Sequence, residues 1–249
     1  MVTGVSIRNS AQRVVISNQQ YGLVFVGNAE FTGERKPIAY LTNSGDTPTP
    51  GTDNPYYIYR INCAYPPMAF LQMLSPQRFA ICSIRSLGGG SWEIVVSGAN
   101  WTVIPIVKCF CRLSGQGQSG LVGIRIRDAQ GNRTWDSTEK MLVIRRKLDW
   151  PGYRDASTGP AVQSQAMTGI TAPYLMSCSS SGITARNSAK INGIANYRIT
   201  VYSLGWTYFD GQLSRLTRAT QAYQYWDDGP AAWNSLAADR TYIIEGNDY

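Results

Sequence analysis

The strongest constraint on this chain is a stretch that it spells twice. Residues 4–17 read GVSIRNSAQRVVIS, and residues 123–136 read GIRIRDAQGNRTWD, an offset of 119. At that offset Ile7 meets Ile126, Arg8 meets Arg127, Asn9 meets Asp128 and Ser17 meets Asp136. Leu23 and Val24 then meet Leu142 and Val143. Each copy reads as a strand, a turn, a second strand, a polar break and a third strand. The strands are VSIRN, RVVIS and GLVFVG, then VGIRIRD, RTWDS and MLVIRR. In the second copy, DAQGNR places Asp and Gly for a tight hairpin turn. The first copy has Gln12 in place of Gly131, so its turn is expected to be less ideal. Ile7, Val14 and Ile16 are its expected packing positions.

A second likeness has a different offset. PQRFAICSIRS (76–86) resembles APYLMSCSSSG (172–182), and SGANWTVIPIV (97–107) resembles GIANYRITVYS (193–203). Cys82 then meets Cys178, and Ala99, Asn100 and Trp101 meet Ala195, Asn196 and Tyr197, all at an offset of 96. The two offsets differ by 23 residues. The first copy must hold that much extra chain, and TNSGDTPTPGTDNPYY at 42–57 is rich in the turn formers of a long surface loop. The expected organisation is one unit duplicated. Domain one spans 1–115 with the inserted loop 42–57, and domain two spans 120–210. The Gly/Gln/Ser run SGQGQSG (114–120) reads as a flexible linker, and a C-terminal extension, 211–249, has no counterpart.

Each domain reads as six to eight short strands separated by turn signals, YYIYRINC, FAICSIR, WEIVVSG and WTVIPIVKCFCRL among them. Such runs without a 3.6-residue period favour antiparallel β-sandwiches. The expected fold class is all-β: two tandem antiparallel β-sandwich domains related by duplication, with a C-terminal docking tail. Within that tail, 213–225 has loose helical spacing at Leu213, Leu216 and Ala219, while Tyr223 and Tyr225 argue for a strand.

The chain has no histidine. That removes His-based nucleophile activation, His-ligated zinc and the usual general base near neutral pH. The five cysteines (63, 82, 109, 111 and 178) include no CxxC pair, so no metal or cofactor is expected, and buried free thiols are the expected state. Cys109 and Cys111, two apart on a strand, would share a face and not bond to each other. The net charge of +7 is scattered, its densest clusters being Arg145, Arg146 and Lys147, and Arg215 with Arg218. No nucleic-acid fold signature accompanies it, so no nucleic-acid partner is expected. No apolar run approaches 18 residues and no signal segment opens the chain, so no membrane span and synthesis in a cytoplasm are expected.

The pattern G-φ-x-φ-x-(N/D)-x-x-G-x-x-φ-(D/S)-S followed by LVxV, with φ apolar, resembles the small β-rich tail proteins of tailed bacteriophages encoded near tail-tip and tail-fibre genes. The second copy, GIRIRDAQGNRTWDS, carries it best. The first departs at Gln12 and at Ser17 and Asn18. The motif covers roughly 25 residues of each copy and carries no chemistry. The resemblance implies a structural virion protein of the tail (tip, baseplate or fibre-associated), made in the bacterial host cytoplasm and assembled in multiple symmetric copies. It would bind other tail proteins and a host cell-surface receptor.

Candidate chemistry is sparse. Asp227 and Asp228 are adjacent on a Gly-Pro turn, whereas glycoside hydrolysis needs two carboxyls on opposite sides of a sugar. Ser179, Ser180 and Ser181 lack an activating base. SLGGGSW (86–92) lacks the GK[ST] ending of a phosphate loop and reads as a hairpin connection. The expectation is therefore a protein that binds and does not catalyse. Its candidate partner-binding residues are Pro48, Pro50 and Tyr56 in the inserted loop, Trp206 in GWTYFDG, and Tyr223, Tyr225, Trp226 and Trp233 in the tail. Their aromatic supply also fits a carbohydrate-binding or adhesive module, the alternative function.

Overall fold

The computed structural model describes residues 6–8, 14–17, 22–36, 56–74, 79–98, 103–113, 123–150, 162–177, 186–187, 190–191, 194–226 and 239–249. Among them there is no α-helix; the chain is nearly all β, in antiparallel pairs. The first half supplies β1 (Ser6–Arg8), β2 (Val14–Ser17), β3 (Leu23–Lys36), β4 (Tyr56–Asn62), β5 (Met68–Gln72), β6 (Phe79–Gly88), β7 (Ser91–Gly98) and β8 (Val107–Arg112). The second supplies β9 (Arg125–Arg127), β10 (Arg133–Asp136), β11 (Arg146–Trp150), β12 (Val162–Ala166), β13 (Pro173–Ser177), β14 (Arg186–Asn187), β15 (Lys190–Ile191), β16 (Ile194–Phe209), β17 (Gln212–Trp226) and β18 (Asp239–Glu245). The 213–225 stretch is thus strand, the second of its two sequence readings.

The two hairpins that spell the repeat form alike. β1 pairs with β2 through Ser6↔Ser17, Ile7↔Ile16 and Arg8↔Val14. β9 pairs with β10 through Arg125↔Asp136, Ile126↔Trp135 and Arg127↔Arg133. Every pair is displaced by the same 119 residues, and the register slips at the same step. Beyond the hairpins, β3·β8, β5·β8, β4·β7 and β6·β7 in the first half recur as β11·β18, β13·β18, β12·β17 and β16·β17 in the second. β14 and β15, which pair with β16, have no counterpart among the described strands.

The large sheet runs β11-β18-β13-β5-β8-β3-β4-β7-β6-β16-β17-β12. β3 turns it over: its first part pairs with β8 and its last part with β4. β3 therefore joins two layers around a common core, β11, β18, β13, β5 and β8 in one and β4, β7, β6, β16, β17 and β12 in the other. Alternation assigns the faces. Ala69, Leu71, Cys109, Leu148, Trp150, Leu175 and Ile243 of one layer meet Tyr59, Phe79, Ile94, Val96, Trp206 and Leu213 of the other. Their neighbours Phe70, Phe110, Tyr174 and Ile244 form a second cluster on the first layer's outer face. The path's ends also meet, since Gln165 Nε2 donates to Asp149 O (3.2 Å) and Arg146 to Ala166 O.

This places the halves differently from two separate sandwiches in tandem. β5 pairs with β13, β6 with β16, and one core draws on both halves. Leu23 and Leu142 also meet directly, Leu142 N donating to Leu23 O (2.7 Å) and Phe25 N to Lys140 O (2.8 Å). The offset of 96 aligned β6 with β13, which hold different places in the sheet. By pairing, β13 corresponds to β5. The segment after Asp210 forms β17 and β18 inside the sheet, the places that β7 and β8 hold in the first half. The stretch 114–120, read as a linker, lies outside the described residues.

Turn chemistry was legible. The two-residue loop Gly89-Gly90 joins β6 to β7, with φ of 59° and 79°, the left-handed pair that a type I′ hairpin turn demands. SLGGGSW is the hairpin connection that its sequence indicated.

Candidate functional site

Among the described residues, the predicted partner-binding residues fall in separate places: Tyr56 in β4, Trp206 in β16, and Tyr223, Tyr225 and Trp226 at the end of β17. Tyr56 opens β4, is 4% exposed and pairs with Ser97; the loop reading of 42–57 therefore overlaps a strand at Tyr56 and Tyr57. Trp206 is 0% exposed and sits in the core beside β6. Trp206 belongs to the core cluster shared by the two layers, whereas Tyr56 is buried without belonging to it. Tyr223, Tyr225 and Trp226 lie in β17, paired with Ile199, Tyr197 and Asn196. Pro48, Pro50 and Trp233 lie outside the described residues, as do Asp227, Asp228 and Ser179 to Ser181.

The described residues also enclose a cavity away from these positions. It is about 280 Å³ and opens where β3, β8 and the end of β4 meet the β9–β10 hairpin. Val24, Phe25 and Val26 of β3 line one side and Cys63, after β4, another; Cys111 and Arg112 of β8, with Arg133 and Glu139, complete it. The backbone of Cys63 is held at both ends: its N–H donates to Gly90 O (2.8 Å), and its carbonyl accepts from Trp92 Nε1 (3.0 Å). The Arg112 guanidinium lies 5.0 Å over the Tyr65 ring.

The charged wall comes from the repeated hairpin. Asp136 has no exposed side-chain surface. Its Oδ2 accepts from Arg125 Nε and Arg133 Nη1, both at 2.8 Å, and its Oδ1 from the Thr138 hydroxyl (2.6 Å) and amide (3.0 Å). Arg133 also reaches Glu139 at 3.0 Å. Burial pushes the Asp136 pKa up, but the Thr138 and arginine hydrogen bonds outweigh it and hold the carboxyl well below its ordinary range. The other motif residues are structural too. Asp128 Oδ1 accepts from the amides of Gln130 and Asn132, and Ser137 Oγ from the amide of Ile124.

The chemistry available is limited. Among the described residues Glu139 is the one carboxylate in the lining, and it is bonded to Arg133. Burial, and then the neighbouring Cys111, push the Cys63 thiol up to about 12. Near neutral pH it is a protonated thiol, not an attacking thiolate. Among the described residues no three His, Cys, Asp or Glu side chains gather as a metal site. Its described lining combines apolar side chains with Arg112, Arg133 and Glu139. Sequence reasoning missed it because its walls come from four separated segments. The signals were a cysteine closing YYIYRINC and the alternation in KCFCRL, and neither reveals that the two strands converge.

No family model, no curated protein and no solved structure matches this chain. No helix among the described residues is long and apolar enough to cross a membrane.

Proposed function

We propose that this chain is a structural protein of a bacteriophage tail that acts by binding other tail proteins, and through them or directly a host receptor. The observation that carries the reading is the repeated hairpin. Its motif resembles those tail proteins, and its residues serve turn geometry and ion pairing. In this reading the chain is a duplicated eight-strand module, supported by the recurrence of the strand pairings from β1–β8 in β9–β18. The second copy then runs through β18, and the segment after Asp210 supplies its seventh and eighth strands. Mass spectrometry of purified virions tests it. Peptides of this chain are expected at a fixed stoichiometry to the major tail proteins, and their absence from intact particles would overturn the proposal.

A further inference from the structure

Two thiols share one acceptor in the cavity wall. Cys63 Sγ donates to Tyr65 O at 3.1 Å, and Cys111 Sγ donates to the same oxygen at 3.2 Å. They come from different segments, just after β4 and near the end of β8, so a bond between them would close a long loop. The other described cysteines are placed differently. Cys82 Sγ donates to Ala80 O within its own strand. Cys109, two residues from Cys111 along β8, is buried in the main core, and a bridge between two such positions on one strand is geometrically poor. Cys63 and Cys111 also both line the cavity, Cys63 half-buried and Cys111 buried, so a small reagent from solvent meets Cys63 first.

We propose that Cys63 and Cys111 are a dithiol–disulfide pair, oxidised by a low-molecular-weight disulfide to a bond that ties the end of β4 to β8. In the first step the deprotonated Cys63 sulfur attacks one sulfur of the reagent. A mixed disulfide forms and one thiolate leaves. The deprotonated Cys111 sulfur then attacks Cys63 Sγ, the protein disulfide forms and the second thiolate leaves. The two protons lost from the protein thiols go to the leaving groups. The protein pair is oxidised by two electrons and the reagent is reduced to two thiols. The bond spans the seam where β3 passes from pairing with β8 to pairing with β4, so it staples the two layers where the sheet turns over. A reducing cytoplasm keeps the pair open and an oxidising exterior closes it.

The test treats the native full-length protein with excess oxidised glutathione, alkylates remaining thiols, and maps tryptic peptides without reduction. The expected product joins peptide 61–78 to peptide 109–112, with fragmentation placing the link on Cys111 and Cys109 alkylated. Cys82→Ser retains the link, and Cys63→Ser and Cys111→Ser each abolish it. The oxidised protein is expected to melt higher, by roughly 5–10 °C. Because the Cys63 thiol is held near 12, bond formation should quicken about tenfold per pH unit between pH 7 and 10, as the thiolate fraction grows. Recovery of Cys63 and Cys111 both alkylated after oxidation, or a link from Cys63 to any other cysteine, overturns the proposal.

Discussion

Asp136 meets two arginines and a threonine with no side-chain surface left to water. Such a group is stabilising only while all its partners stay in place. Asp136→Ala leaves Arg133, itself 4% exposed, without its main counter-charge. A loss of about 3–5 kcal/mol is expected in urea unfolding. The pH dependence has a definite sign. The folded pKa lies below the ordinary 3.8, so the stabilisation is complete above that value. It is lost as pH falls from about 4 through the folded pKa. Asp136→Asn is therefore expected to flatten the acid limb of a stability–pH curve, and an unchanged acid limb would contradict the assignment. In the first hairpin the positions matching Arg133 and Asp136 hold Val14 and Ser17, which cannot form this pair. The motif itself was readable as structural. The burial of its carboxylate was not, because Arg125 reaches it from the opposite strand.

Elements were read best where the local code is short. The Asp210-Gly211 turn joins β16 to β17 through the pair Phe209↔Gln212, with φ of 47° and 71°. Asp tolerates that region and Gly favours it. Gly211→Ala is expected to destabilise by about 1 kcal/mol, since a Cβ strains this conformation, and thermal melting checks it. Strands β4, β6, β7 and β8 stood close to their sequence readings. The errors came from pairing. Residues 173–177 resemble residues 77–81 in sequence, yet β13 takes the position of β5. Short alternating strands look alike because each says only which side chains face inward. Trp206 illustrates the same limit: an aromatic in GWTYFDG is equally suited to a surface anchor or a core, and its neighbours in space made it core.

At the scale of the molecule, Trp206 belongs to a core shared by both halves. Trp206→Ala is expected to cost about 3–5 kcal/mol, and its effect should not stay within the second half. Hydrogen-exchange protection in β6 and β7 should fall together with that in β16. Its indole N–H meets no acceptor among the described residues. Trp206→Phe, which removes that donor while keeping most of the packing, should therefore cost far less than Trp206→Ala. The shared core also predicts one cooperative unfolding transition by calorimetry. Chains covering 1–122 and 123–249 are expected to lack native near-UV circular dichroism when expressed separately. A natively folded half would argue for independent sandwiches instead.

What the sequence determined by itself is the part written in short-range chemistry. It set the all-β class, through alternation without a helical period, and the repeated hairpin, through matching residues at one offset. It also placed the tight turns, through glycine and aspartate where φ must be positive. It excluded histidine chemistry outright. What only the tertiary structure decided is which strand lies beside which. That choice joined the halves through β5·β13 and β6·β16, drew the segment after Asp210 into the sheet and brought Cys63 to Cys111. The physical reason is that a strand's sequence specifies its two faces but not its neighbours. Its backbone hydrogen bonds are the same with any partner, so the neighbour is chosen by the packing of side chains gathered from the whole chain.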